Sequence, residues 1–367
     1  MKAQLSHQGH GLQLKGFDYL NLYVGNAVQA SHFYRLAFGF TPTVRAGLET
    51  GLRDQQSLVL QMGSIRLVLT SPLGPESGIA EHVKSHGDGV KDIAFEVDDA
   101  SQVFEQAVKR GARPLSEPAS LRDQKGYLIK ATIAGPGNII HSFVQRRGYD
   151  GAFMPDFQPV ESQPPARMPG ITSIDHVAFG VERGTLDEWV GFYEQVFGFH
   201  QSHEENVSTE YSGMKSKVVE SDTSAIRFPI VEPAPGRRKS QVEEYLTFHR
   251  GPGAQHLAFL TDDIVATVRA LRANGIEFLK APGAYYDRLE QRVGKLDADI
   301  ATLRELNILV DRDPWGHLMQ IFTKPVQSRP TFFIEIIQRI GARGFGGGNI
   351  TALFEALEQE QALRGNL

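Results

Sequence analysis

Apolar and polar residues alternate in short stretches of this chain and then give way to a wider spacing, and the change occurs four times. The segments Asp18–Phe40, Lys91–Leu115, Asp175–Phe199 and Gln255–Leu279 each open with about six alternating residues, the period-two pattern of a half-buried strand. A turn rich in Gly, Asp or Asn follows. An amphipathic run comes next: in the second segment Val103, Phe104, Ala107 and Val108 fall on one helical face. Gly39, Gly111, Gly198 and Gly275 close the runs, where a left-handed helix cap suits glycine.

Counted from Tyr19, Asp92, His176 and His256, the opening strands begin 73, 84 and 80 residues apart. That period is too long for a solenoid and fits a small βα unit completed by further strands. Alternation places such strands at Ser57–Met62, Ile65–Thr70, Tyr127–Ile133 and Ile139–Gln145. The expected class is α+β, with two pairs of units forming an N-terminal domain over 1–150 and a C-terminal domain over 171–367. Between them, 151–170 carries Pro155, Pro159, Pro164, Pro165 and Pro169, a density that reads as an extended linker. Leu289, Val293, Leu296, Ile300 and Leu303 predict one added helix within an insertion at Tyr285–Leu306. Leu353, Phe354 and Leu357 predict a closing helix in the tail from Ile350.

Composition narrows the chemistry. The 367 residues are 41% apolar and 22% charged, and the net charge is −5, so no basic excess is available for nucleic acid or an anionic membrane. There is no cysteine, hence no disulfide, no thiolate ligand and no cysteine nucleophile. A metal would have to sit on His, Asp or Glu. Met1–Gly16 lacks the apolar core of a secretory signal, and no apolar run reaches transmembrane length. A soluble cytoplasmic protein, assembled as a homo-oligomer, is the default expectation.

Most of the twelve histidines read as ordinary. His82 and His86 lie four apart but lack an evident third ligand, His200 and His203 fall in a polar segment read as solvated loop, and His7 and His10 belong to the N-terminal tail. His176 and His256 differ, because the repeat puts both at the second position of an opening strand. Thr331–Gln338 then holds a single charged residue, Glu335, in an apolar run; a lone buried carboxylate needs a partner or a cation. Alternation puts Phe333, Glu335 and Ile337 on one face, unless Glu335 points to solvent at a sheet edge. Aligning Gln145-Arg146 with Gln338-Arg339 makes Ser142 the counterpart of Glu335, while Tyr19 and Asp92 replace the two histidines. One metal site per chain, in the C-terminal half, is the expectation. Two imidazoles and a carboxylate suit non-haem Fe(II), with Zn²⁺ or Mn²⁺ as further occupants of such a set.

The repeats resemble vicinal-oxygen-chelate modules of βαβββ form, two to a domain. The ordered motifs at His86–Val97, Ser208–Ser212, Glu232–Gln241, Gly253–Phe259, Gln320–Pro325, Arg329–Arg339 and Gly344–Asn349 resemble the 4-hydroxyphenylpyruvate dioxygenase family over almost the whole chain. The resemblance implies Fe(II) on His176, His256 and Glu335. It also implies an aromatic 2-oxo acid that chelates the iron, reaction with O₂, and release of CO₂ and homogentisate in tyrosine and phenylalanine catabolism. By the same resemblance Ser216, Gln241, Gln255 and Gln320 match polar pocket positions, and Phe322, Phe333 and Phe345 match aromatic walls. Gln255, next to a ligand, would face away from the metal on a flat strand. Arg237, Arg238 and Lys239 read as a solvated basic loop.

Two departures concern the product. Val231 stands where the family has an asparagine, and Ile350 where it has a phenylalanine. Both resemble 4-hydroxymandelate synthase, a family member that hydroxylates the benzylic carbon of the same substrate. Whole-chain similarity favours homogentisate. The remaining alternatives are a non-catalytic small-molecule-binding protein and another metalloenzyme on this scaffold, an extradiol dioxygenase or a zinc- or nickel-dependent isomerase.

Overall fold

The alternating segments form two large mixed sheets in a computed structural model that describes residues 11–161, 169–296 and 298–365. The first sheet is built from β1 (Leu14–Tyr23), β2 (Thr41–Ala46), β3 (Gln55–Met62), β4 (Ile65–Pro72), β5 (Gly89–Val97), β6 (Pro114–Asp123), β7 (Gly126–Ala134), β8 (Ile140–Gln145) and β9 (Gln158–Pro159). The second uses β10 (Ile171–Gly180), β11 (His200–Ser208), β12 (Gly213–Glu220), β13 (Arg227–Ala234), β14 (Gly253–Thr261), β15 (Leu309–Asp313), β16 (Gly316–Phe322) and β17 (Phe333–Ile340). Their orders are β6-β7-β8-β5-β1-β4-β3-β2-β9 and β11-β12-β13-β10-β14-β17-β16-β15. Helices pack on the sheets, giving the α+β class that the pattern predicts.

Both sheets share one design. An antiparallel pair, β1 with β5 or β10 with β14, lies at the centre, and each member has a parallel neighbour on its other side. Tyr19 pairs with Ala94 as His176 pairs with Ala258, and Ala94 pairs with Ser142 as Ala258 pairs with Glu335. The register therefore agrees with the internal alignment made from sequence. Register shifts leave Asp18 and Asp175 as extra residues at equivalent points of β1 and β10, as a bulge does.

The helices α1 (Ala27–Phe38), α2 (Gly78–His86) and α3 (Ala100–Lys109) belong to the first half; α4 (Leu186–Phe192), α5 (Gln241–His249) and α6 (Ile264–Ala273) belong to the second. The turn residues of the repeat are their N-caps. Asn26, Asp99 and Asp263 accept from the backbone N–H of Gln29, Gln102 and Ala266 at 3.0, 2.9 and 2.9 Å. Thr185 makes no such bond before α4, and Glu232 of β13 accepts instead from the N–H of Gly184 and Leu186. Gly39, Gly111 and Gly275 hold positive φ just past their helices, and Gly198 does so past the π-helical turn Tyr193–Phe197 that continues α4.

Two expectations are corrected. The insertion forms three short helices, α7 (Gly283–Asp287), α8 (Leu289–Val293) and α9 (Ile300–Leu306): Arg288 leaves helical geometry between the first two, and Gly294 at φ +79° ends the second. The closing helix α10 (Gly347–Leu363) starts three residues before Ile350. In the proline-rich segment Phe153 and Met154 are buried and β9 pairs with the edge of β2; 162–168, with Pro164 and Pro165, lie outside the described residues. His7 and His10 lie outside them too.

The largest core runs through both halves, with Phe17 against Phe228 and Phe38 against Phe259. A second cluster gathers Tyr19, Val44, Val68 and Val144 under Phe153 and Met154, so on this face the first sheet is filled by its own side chains. The second sheet carries a pocket there. Among the described residues no helix is long and apolar enough to cross a membrane.

Candidate metal centre and substrate pocket

His176 on β10, His256 on β14 and Glu335 on β17 come from three neighbouring strands. One ligand atom from each lies within 4.8 Å of the others, and all three residues are buried. Glu335 Oε2 is 3.2 Å from His176 Nε2 and 3.5 Å from His256 Nε2. β17 is central, so Glu335 is 1% exposed and does not point to solvent at an edge.

The atoms turned away from this cluster are all occupied. His176 Nδ1 lies 2.8 Å from Asp175 Oδ1, and Asp175 is in turn gripped by Arg339 at 2.7 and 2.8 Å. His256 Nδ1 lies 3.3 Å from Gln255 Oε1, and Gln320 Nε2 donates to Glu335 Oε1 at 2.8 Å. Acceptors at both Nδ1 atoms place the ring protons there and turn the Nε2 lone pairs toward Glu335. The donor set fits a divalent metal ion.

Electrostatics agree with that reading. Burial alone would push the Glu335 carboxyl up, but His176 and His256 beside it bring it down to about 2. Burial also opposes charge on His176, and Glu335 and Asp175 outweigh it and raise its pKa. For His256 burial prevails and lowers it. Burial would raise Asp175 as well, yet Arg339 holds it far below the usual carboxylate range. A cation in the middle would relieve three groups that otherwise share protons in a dry site.

A pocket opens over the cluster. Ser216, Val231, Gln241, Gln255, Gln320, Phe322, Phe333, Phe345 and Ile350 all line it. Gln255 departs from the flat-strand expectation: the register of β14 shifts there, leaving Gln255 as the extra residue, so it and His256 both reach the pocket. Its Nε2 donates to Gln241 Oε1 at 2.8 Å. Arg237, Arg238 and Lys239 are exposed, as expected of a solvated loop.

Sequence reasoning missed one wall. His203 was expected in solvated loop; it lies instead on β11, half-buried, with its ring 5.4 Å from that of Phe345. Pairing with β12 turns His203, Glu205 and Val207 inward by period-two alternation, and only Val207 carried an apolar signal. His200, on the same strand, is exposed. Among the described residues His82 and His86 join no three-ligand group; their rings lie 4.8 Å apart and tilted, and that of His86 lies 4.9 Å from the ring of His249.

A family model described as the glyoxalase/bleomycin resistance protein/dioxygenase superfamily matches residues 16–139 and 173–321. The 4-hydroxyphenylpyruvate dioxygenase of Yarrowia lipolytica is 44% identical over 369 residues, which cover 96% of this chain and 94% of the relative. The protein of the same name from Dictyostelium discoideum is 42% identical over 96% of this chain and 100% of its own length. Among solved structures, a triple mutant of 4-hydroxymandelate synthase from Streptomyces coelicolor matches with a TM-score of 0.87 at 39% identity, over 95% of this chain and 99% of that one.

Proposed function

The chain belongs to the glyoxalase/bleomycin resistance protein/dioxygenase superfamily and, within it, to the 4-hydroxyphenylpyruvate dioxygenase family, and on that premise we propose that it oxidises 4-hydroxyphenylpyruvate with O₂ to homogentisate and CO₂ at a ferrous ion. His176, His256 and Glu335 would hold the ion. Bound there, Fe(II) would supply a redox-active centre able to take up a 2-oxo acid and dioxygen. One oxygen atom ends in the new carboxylate and the other on the ring. The convergence of three buried ligand atoms within 4.8 Å, beneath a pocket lined by every matched residue, carries this reading.

The protein's own groups would bind and orient. Asp175, Gln255 and Gln320 fix the ligands, and Phe322, Phe333 and Phe345 wall an apolar space from which water is displaced. Ser216 and Gln241 offer polar contacts to the substrate. We divide the chain at the proline-rich segment 151–170, with the C-terminal part, 171–367, as the catalytic one.

Val231 and Ile350 favour a second reading, 4-hydroxymandelate synthesis. Both belong to one apolar patch with Met214, Val242 and Phe354, so neither offers the polar or aromatic contact expected for the homogentisate former. Moving the oxidised position from ring to benzylic carbon takes only a few kcal/mol between competing barriers. Incubating anaerobically purified protein with Fe(II), substrate and O₂ and identifying the product by chromatography tests both. Homogentisate supports the first reading and 4-hydroxymandelate the second; absence of either product removes both.

A further inference from the structure

Two acidic residues of the pocket wall stand outside the metal cluster, Glu204 and Glu205, and of these Glu205 is the half-buried one. Glu205 of β11 pairs with Ser216 of β12, and Ser216 pairs with Val231 of β13, so the three side chains form a row across adjacent strands of one sheet face. All three line the pocket. Among the described residues the Glu205 carboxylate meets neither a hydrogen-bond donor nor a cation, and Ser216 is buried with its hydroxyl likewise unpaired. Asp311, of like sign, acts on it through space, and its own oxygens are taken by Arg292 and the N–H of Gly348. Burial, and then Asp311, push the Glu205 carboxyl up.

A half-buried carboxylate without a donor is a poor feature of an empty wall and a good one for a ligand that brings a donor. The strand order says where that donor would sit. β12 and β11 lie two and three strands out from β10, roughly 10 to 14 Å from His176 along the sheet and less across its concave side. An arylpyruvate held by its oxo acid at the metal ligands spans such a distance and ends in its para substituent. Val231 cannot bind a hydroxyl in this row, which leaves Ser216 and Glu205.

We propose that Glu205, with Ser216, accepts the para-hydroxyl of the substrate and makes the site selective for phenolic over plain aryl 2-oxo acids. This rests on the proposed oxidation of 4-hydroxyphenylpyruvate. Glu205 is a specificity residue: it touches the substrate end remote from the reacting atoms. A competing role is visible, since its carboxylate also lies against Gly347 at the start of α10.

The test compares 4-hydroxyphenylpyruvate with phenylpyruvate, which lacks only the hydroxyl, in wild type, Glu205→Gln and Glu205→Ala. Both kcat/KM and anaerobic binding to the Fe(II)-loaded protein are read, with thermal melting as a check of the fold. The wild type should prefer the phenol. Glu205→Ala should lose about 10- to 100-fold in kcat/KM and in affinity for the phenol while leaving phenylpyruvate unchanged, and Glu205→Gln should fall between. Equal losses for both acids assign Glu205 to seating α10 and overturn the proposal, as does unchanged selectivity. A wild type that turns over neither acid removes the functional reading first; one that turns over both equally removes only this proposal.

Discussion

Gln320 donates to Glu335 across the β16–β17 pair at 2.8 Å, leaving the other carboxylate oxygen free to face both imidazoles. The Gln320 amide is itself held: Asn349, in the first turn of α10, donates to its oxygen at 2.9 Å, and Tyr285 of α7 donates to Asn349 at 2.6 Å. The closing helix and the insertion thus orient Glu335, a proposed metal ligand. We expect Gln320→Leu to weaken Fe(II) or Zn²⁺ binding by about 10- to 100-fold with little change in circular dichroism. Anaerobic metal titration measures it, and an unchanged affinity would remove Gln320 from this role.

The N-terminal half replaces the metal cluster with an internal network. Asp92 accepts from Tyr19 at 2.9 Å, from Ser142 at 2.8 Å and from Lys130 at 3.2 Å. Lys130 stands at the register position of Gln320, and its ammonium is the cation of that network. We expect Asp92→Ala to cost about 3 to 5 kcal/mol of stability, because it strands a largely buried ammonium, while metal stoichiometry stays at one per chain. Denaturant melts and metal analysis of the same sample check the two halves of that statement.

Val231 and Ile350 share an apolar wall, so they can steer the oxidant together. If wild type forms any 4-hydroxymandelate, Val231→Asn with Ile350→Phe should raise the homogentisate fraction, read by chromatography of the products. An unchanged ratio would show that neither position directs the oxygen.

Acid should destabilise the fold through its buried histidines. Burial lowers His82 to about 3, and His141 and His249 to about 4, against an ordinary value of about 6.5. Below that value the unfolded chain takes up protons that the folded one refuses, so this stability is complete above pH ~6.5 and is lost as pH falls toward the folded pKa values. Each group accounts for about 2 kcal/mol between pH 6.5 and 5. His82→Phe keeps a ring beside Tyr23 and His86 and should lose about that much less over the interval. Denaturant melts at the two pH values decide, and identical losses in variant and wild type would contradict the account.

Legibility in the sequence followed the range of the interactions. Strands, helix-ending glycines and N-caps obey short periods and local φ demands, so the four-fold repeat was visible and the repeat pointed to His176 and His256. Glu335 stood out because one charge interrupted an apolar run. Gln255 was misread because a bulge, invisible to period-two counting, turns it into the pocket. His203 and Glu205 were missed because β11 is polar on both faces and becomes a wall only by pairing with β12. The three-helix insertion reads as one helix because single residues, Arg288 and Gly294, decide the breaks while the apolar spacing runs on across them.

The most direct test adds Fe(II) stepwise to metal-free protein and records 4-hydroxyphenylpyruvate-dependent oxygen uptake, for wild type and for Glu335→Ala. The account predicts that uptake rises linearly, breaks at one ion per chain and vanishes in the variant. Uptake that needs no iron, shows no break or survives Glu335→Ala would contradict it.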